Sequence, residues 1–221
     1  MTTSTPLLQS ENYVNESLLW RYATKQFDST QKVRSEALQT LINSLQLSPS
    51  SFGLQPWKFF VISDLPLRQQ LREHSWNQPQ VVDASHLFVL ASARTVTPEC
   101  IDGHLSNVAE TRSIPLEDLH PYRERIIPFV KALVDNGTIE AWCTRQTYLA
   151  LGMLLGTAAQ LRIETCPLEG ITPAQYDKLL ELENSNFTTK VACAVGYRSE
   201  TDTTATAKKV RFSENTVVIR K

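Results

Sequence analysis

Arg21 and Lys25 stand four residues apart in RYATKQFD. On a helix that spacing puts both cations on one face, about one turn apart. Two cations so placed repel unless an anion lies between them. Phosphate suits the pair, because a guanidinium makes bidentate charge-assisted bonds to its oxygens. Taken alone, the two residues read as a solvated basic helix end. Lys209 and Arg211, in AKKVRF, are two apart and face the same side of an extended segment; taken alone they are a charged tail. Residues 48–57, SPSSFGLQPW, offer serine hydroxyls in a turn-rich loop, or simply end a helix ahead of a buried Trp57. PLEG, residues 167–170, follows a short strand. There Gly170 permits a positive φ, and the turn can expose backbone N–H groups. Asn77, Gln78 and Gln80 supply amides, the donor-and-acceptor groups that recognition of a heterocycle edge requires. Asp83 and Ser85, just after them, turn the chain into a strand.

Other chemistries are not supported. Cys100, Cys143, Cys166 and Cys193 are widely spaced, with no CxxC pair and no Cys/His cluster, which argues against a zinc site. Scattered thiols suit a reducing compartment. The four histidines are isolated, and no Ser/His/Asp or Cys/His constellation emerges. No Gly-rich strand-to-helix turn is present, so a Rossmann or P-loop site is unsupported. With only 7 glycines, a phosphate must be held mainly by side chains. A net charge of -1 gives no global field for nucleic acid or an anionic membrane. The most apolar uncharged stretch, residues 146–161, is short of the roughly 20 apolar residues of a membrane span. The first residues lack the basic and apolar regions of a signal peptide. A soluble, cytoplasmic protein is expected.

The elements that must position these residues follow from periodicity. Residues 18–47 read mainly as helix, broken around 27–31, with Val33, Ala37, Leu38, Leu41, Ile42 and Leu45 at helical spacing. Strands are expected at 57–63, 86–93, 162–166 and 190–196, and a strand-like run at 216–220. Short helices are expected at 67–74 and 173–180. Residues 102–135 are helical, interrupted by Pro115, Pro121 and Pro128. A long helix spans 139–161. From Tyr148 to Ala159 it is apolar on nearly every face, which implies burial on all sides, and Gly152 and Gly156 permit close backbone approach. Helices among four strands give an α+β, three-layer arrangement, with a tail over residues 1–12 and one domain over 13–221.

RYATKQFD, LSPSSFGLQPWKFFVI, VVDASHLFVLASA, TYLALGMLLGTAAQLRIETCPLEG and AVGYRSE with KKVR, in this order, resemble the nitroreductase family of FMN enzymes. The similarity is closest to its oxygen-insensitive NAD(P)H nitroreductase and flavin reductase branch. The resemblance implies a central, mostly antiparallel sheet flanked by helices, in an intertwined homodimer with FMN at the subunit interface. It implies Arg21, Lys209 and Arg211 as phosphate ligands, with Tyr22 and Ala23 in the same binding stretch, and Lys25 near the pyrimidine edge. Asn77 and Gln80 match positions contacting the ring or ribityl chain. Pro49, Ser50 and Ser51 match a loop offered by the neighbouring subunit. Pro167, Leu168, Glu169 and Gly170 match the turn against the flavin, with the Glu169 N–H facing N5. Phe52 and Phe129 match substrate-cleft positions, and a core role fits Phe129 equally. The chain departs from the pattern at Ala23, in place of a serine, at Gln80, in place of a lysine, and at Phe52-Gly53-Leu54, in place of a more polar triplet.

Such a family member takes hydride from NADH or NADPH onto FMN and passes it to quinone, nitroaromatic or flavin acceptors by a ping-pong mechanism. It needs no acid-base side chain and no metal, and its partners are small-molecule electron acceptors. A same-fold dihydropteridine reductase or other specialised flavoenzyme, and a non-catalytic flavin-binding dimer, stay open as alternatives.

Overall fold

A computed structural model describes residues 11–221. The tail expected over residues 1–12 falls, at residues 1–10, outside the described residues. Four strands form one antiparallel sheet: β1 (Trp57–Ile62), β2 (His86–Ala93), β3 (Glu164–Leu168) and β4 (Phe187–Gly196), in the order β1-β2-β4-β3. Strand β2 is the apolar run HLFVLASA, and all but its first residue are buried, as a central strand covered on both faces requires. Its register on β4 shifts between Leu90 and Ala91, a bulge that leaves Lys190 unmatched.

Alternation along the strands sorts side chains into two cores. Phe88, Leu90, Val191, Cys193 and Val195 face α2 (Ser35–Gln46) and α7 (Ile139–Gln160), where they meet Leu41, Leu45, Leu151 and Leu154. Leu87, Val89, Ala192 and Ala194 face the other way. They pack with Leu71 of α3 (Leu65–Glu73), Val81 of α4 (Gln80–Asp83) and Tyr176 of α8 (Pro173–Leu179). The three layers expected from the sequence are therefore present. A third core joins α5 (Pro98–Arg112) and α6 (His120–Asp135) to the start of α7 through Ile101, Leu105, Ile126, Val130 and Trp142. Pro121 sits in the first turn of α6, where its missing N–H costs nothing. Pro128 lies inside α6 without ending it; it is exposed, so the carbonyl it leaves unpaired can meet water.

Three expectations need correction. The helix expected over 18–47 is two helices, α1 (Glu11–Trp20) and α2, with residues 21–34 non-helical between them. The gap is held open by long-range pairing: Ala23 bridges Thr165 in parallel and Phe27 bridges Arg198. The run at 216–220 is not a strand; α9 (Glu214–Val217) is a single exposed helical turn, since β-branched residues favour a strand only when a sheet edge is offered. Helix α7 is not buried on all sides of this chain. Leu149 is 51% and Met153 43% exposed, and the space a Cβ would fill at Gly152 and Gly156 is open. No described helix is long and apolar enough to cross a membrane.

Candidate functional site

Strand β3 is a sheet edge, and the segment after α1 lies along it. Thr24 donates its N–H to Thr165 O at 3.2 Å, and Asp28 donates to Tyr197 O at 2.8 Å. Arg21 and Lys25 therefore stand on an extended segment rather than on one helix face, which corrects the helical spacing argument. The chain also bends at Lys25, so the alternation of a regular strand does not put the two cations on one side.

Beside this segment the C-terminal stretch folds back. Arg21, Tyr22 and Ala23 from one side and Lys208, Lys209 and Arg211 from the other line a single cleft of about 350 Å³. No carboxylate among the described residues lines it. Lys209 Nζ donates to the Arg21 carbonyl. Burial, then the Arg21 and Arg211 charges, hold the Lys209 ammonium below the usual lysine range. Arg21 Nε is buried with no acceptor. Converging cations and a donor left without an acceptor amount to an unmet demand for an anion. The structure thus brings together three residues assigned to phosphate, although 188 positions separate Arg21 from Lys209.

Asp202 pins the two walls together and is missing from the sequence reading. It is 4% exposed. Its carboxylate accepts from Lys25 N at 2.9 Å, Gln26 N at 3.2 Å, Tyr22 Oη at 3.0 Å and Thr204 N at 2.9 Å. Burial pushes this carboxyl up, but the backbone donors and the Tyr22 hydroxyl outweigh it and hold it below the usual range. Nothing local could have marked Asp202, which lies in a Ser/Thr-rich tract and binds residues at the opposite end of the chain. Lys25 itself is exposed and does not line the cleft.

The remaining candidates fall into two groups. Pro167 and Leu168 lie within β3, paired with Cys193 and Ala192, so only Glu169 and Gly170 form the turn. The Glu169 carboxylate accepts from Tyr148 Oη at 2.5 Å; burial and this carboxylate push the phenol well above its usual range. Gly170 does not use the positive φ that a glycine permits. Its lack of a side chain answers instead to Trp76, whose ring lies against it. Gln80 is 5% exposed, and its Oε1 is buried without a partner. The short helix carrying it is held by Arg68, 2% exposed, whose guanidinium donates to the carbonyls of Val81, Val82, Ala84 and Ser85. Four carbonyl dipoles converge on one buried cation, and each guanidinium nitrogen has a partner. Asn77 is exposed, in left-handed backbone with φ 53°.

Pro49, Ser50 and Ser51 do not line the Arg21 cleft. Ser50 Oγ accepts from Gln55 N at 2.9 Å, and Ser51 N donates to Gln146 Oε1 at 2.9 Å, which fixes this loop to α7. The next residue, Phe52, has φ 56°. That is a strained conformation for a residue with a Cβ, of order 1–3 kcal/mol. Its carbonyl accepts from Tyr122 Oη at 3.0 Å and from the His104 ring. Its ring meets Phe129 edge-on at 5.1 Å. The two substrate-cleft candidates are therefore in contact, with Trp142 behind Phe129 at 6.0 Å.

A family model described as Nitroreductase family matches residues 18–197. YfkO of Bacillus subtilis (strain 168), named as an NAD(P)H nitroreductase, is 37% identical over 193 residues, which is 81% of this chain and 86% of that protein. Among solved structures, one named as an NAD(P)H:FMN oxidoreductase of Staphylococcus epidermidis ATCC 12228 matches with TM-score 0.80 at 19% identity, over 99% of this chain and 100% of that one. One named as a nitroreductase of Exiguobacterium sibiricum 255-15, in complex with FMN, matches with TM-score 0.77 at 19% identity, over 99% and 100% of the two chains. At such identities the solved structures speak for the fold alone; membership rests on the family model and the sequence relative. The chain belongs to the nitroreductase family.

Proposed function

We propose that the chain is an FMN-dependent NAD(P)H oxidoreductase, active as a homodimer, that reduces quinones, nitroaromatics or free flavins by a ping-pong mechanism. The observation that carries this reading is the cleft of Arg21, Lys209 and Arg211, in which three cations converge with no carboxylate among the lining residues and the buried Arg21 Nε has no acceptor. It lies on the β3 edge of the sheet, and the same strand leads into the Glu169–Gly170 turn. A flavin phosphate fits that cleft, and the unpaired Gln80 Oε1 fits a donor on the ring or ribityl chain. The FMN complex of the Exiguobacterium neighbour and the NAD(P)H nitroreductase name of YfkO agree with it. When bound, FMN supplies hydride transfer from NAD(P)H to the second substrate.

The chain's own residues then bind, orient and bias. Arg21, Lys209 and Arg211 hold the phosphate, with Tyr22 and Ala23 at its side. Asn77 and Gln80 address the ring or ribityl chain. The Glu169 N–H, in the Glu169–Gly170 turn that follows Pro167 and Leu168 of β3, would donate at N5. Phe52 and Phe129 border the acceptor cleft. Lys25 places a positive charge at the pyrimidine edge and favours negative charge developing there. Anaerobic addition of NADH or NADPH to the purified yellow protein is expected to bleach it, and reoxidation by an acceptor screen then names the acceptor. A flavin that stays oxidised with both nucleotides overturns the reading.

The Lys25→Met variant keeps the stem and removes the charge. A charge-assisted hydrogen bond contributes about 1–3 kcal/mol. At about 30 mV per 1.4 kcal/mol for a two-electron couple, the expected potential is roughly 20–65 mV lower. Screening of an exposed ammonium favours the lower part of that range. An unchanged midpoint in spectroelectrochemical titration, with FMN fully bound, removes Lys25 from the flavin.

The homodimer is supported by the open face of α7. Leu149 and Met153 are exposed there beside the bare backbone of Gly152 and Gly156, a surface apolar enough to need a cover. Pro49, Ser50 and Ser51, held to this same helix through Gln146, would reach a second subunit's site. Sedimentation is expected to give a dimer down to low concentration, with an interface upward of about 2,000 Å². A folded, FMN-loaded monomer contradicts this.

A further inference from the structure

Arg68 is a cation placed where a cation is costly. It is 2% exposed, and burial holds its guanidinium below the usual arginine range, with the Asp83 charge acting the other way. It forms no ion pair among the described residues. Apolar side chains of similar volume often replace a buried charge at no loss of stability, so packing alone gives no reason for an arginine here.

Its donors all go to one short segment. Nε reaches Val81 O at 2.8 Å, Nη1 reaches Ser85 O at 3.0 Å, and Nη2 reaches Val82 O at 2.5 Å and also Ala84 O. That segment has little of its own to hold its shape. Helix α4 is 4 residues long and has no side-chain cap, and a single helical turn is not stable by itself. Gln80 opens this helix. It is 5% exposed, and its Oε1 is buried and unpaired. The carbonyl held by Arg68 Nε belongs to the very next residue. A buried acceptor without a donor costs about 1–3 kcal/mol. Gln80 is therefore held in a position that only a donor from outside the chain satisfies.

We infer that Arg68 is a positioning residue for the cofactor. By fixing the carbonyls of residues 81, 82, 84 and 85 it aims Gln80 Oε1 at a hydrogen-bond donor of the flavin, the ring N3–H or a ribityl hydroxyl. The inference rests on the proposed function, in which Gln80 addresses the flavin. The guanidinium acts through α4 and not by contact. Its planar fork serves several fixed acceptors at once, which the compact ammonium of a lysine cannot do.

The test is a double-mutant cycle read by fluorescence titration of apoprotein with FMN. Arg68→Lys keeps the charge and loses the fork. Alone, Arg68→Lys and Gln80→Ala are each expected to weaken FMN binding by about threefold to tenfold, as for one neutral hydrogen bond. The double variant is expected to bind within about twofold of Gln80→Ala, because both changes remove the same contact. A merely structural Arg68 weakens binding equally in both backgrounds, so losses that multiply overturn the inference, as does an Arg68→Lys chain that binds FMN as the parent does. With 3-methyl-FMN, which lacks the ring N3–H, a Gln80→Ala loss that vanishes assigns the donor to the ring, and one that persists assigns it to the ribityl chain; either upholds Arg68.

A second measurement leaves Arg68 in place, should its variant not fold. Coupling is reciprocal, so FMN held through Gln80 must steady the carbonyls around the guanidinium. FMN is expected to slow exchange of the Arg68 Nε–H with water, followed by NMR, by about threefold or more in the parent and by less than about twofold in Gln80→Ala. Equal slowing in both chains, or none in the parent, overturns the inference. A parent apoprotein that takes up no FMN sinks the function reading and the positioning role with it. Normal FMN uptake with losses that multiply sinks the Arg68 inference alone.

Discussion

Arg21→Ala is expected to weaken FMN binding roughly tenfold to a hundredfold, the equivalent of about 1.5–3 kcal/mol for a hydrogen bond to a charged group, while riboflavin affinity changes by less than about threefold. The contrast follows from what the side chain does in the folded protein. Arg21 Nε is buried with no acceptor. Its ties to the fold are made by its backbone, through the N–H to Ser17 O at 3.1 Å and the carbonyl to Lys209 Nζ. Truncating the guanidinium leaves those backbone bonds in place and removes a donor that only an anionic ligand satisfies. One effect works in the opposite direction. After burial, the Arg21 charge is what lowers the Lys209 ammonium, so the variant eases that repulsion. Arg21→Lys keeps the charge but loses the bidentate fork and is expected to recover part of the loss. Fluorescence titration of apoprotein with both flavins measures the difference, and equal losses for FMN and riboflavin place Arg21 away from the phosphate.

What was legible in the sequence was whatever depends on local periodicity. Strand β2 matches its apolar run residue for residue, and α7 departs from its expected end by one position. Both patterns were long and unbroken. The gap between α1 and α2 was only partly visible, because residues 21–26 carry no breaker. Their extended form is imposed by β3 and by Tyr197, about 140 and 170 positions away. The tail at 216–220 shows the reverse error: its residues favour a strand, but no sheet edge receives them. At the site, Arg21, Lys209 and Arg211 could be named as cations but not placed together from spacing, since the cleft exists only when the chain ends fold onto β3. Trp76 and Asp202 escaped for a common reason. Each matters through a contact about 94 or 176 positions distant, and neither sits in a pattern that one sequence makes conspicuous. Gly170 carries the same lesson: a glycine in a turn permits unusual backbone, whereas the constraint here is the Trp76 ring in the space that a Cβ would fill.

Asp202→Ala is expected to damage the site more than any single cation removal. The carboxylate is 4% exposed and accepts three backbone N–H groups and one hydroxyl, drawn from residues 22–26 on one wall of the cleft and Thr204 on the other. Without it three backbone donors lose their acceptor, each at about 1–3 kcal/mol unless water enters. Water does enter a site that opens, so the net loss is expected near 3–5 kcal/mol, as when one member of a buried charge-assisted network is removed. For a chain of this size that corresponds to a Tm lower by roughly 6–20 °C. FMN affinity is expected to fall by more than about a hundredfold, because Arg21 and the Lys209–Arg211 stretch lose the pin that sets their spacing. Asp202→Asn keeps one oxygen but turns an amide donor toward another donor, and is expected to lie between the alanine variant and the parent. The pH dependence has a definite sign. The folded carboxyl lies below its ordinary value, so its stabilisation is complete above the unfolded value of about 3.9 and is lost as pH falls through the folded one. Release of FMN fluorescence during acid titration is therefore expected to begin below about pH 4 in the parent protein, and to lose this component in Asp202→Asn. If the asparagine variant keeps both the parent Tm and the parent acid limb, the two walls are held by something other than this carboxylate.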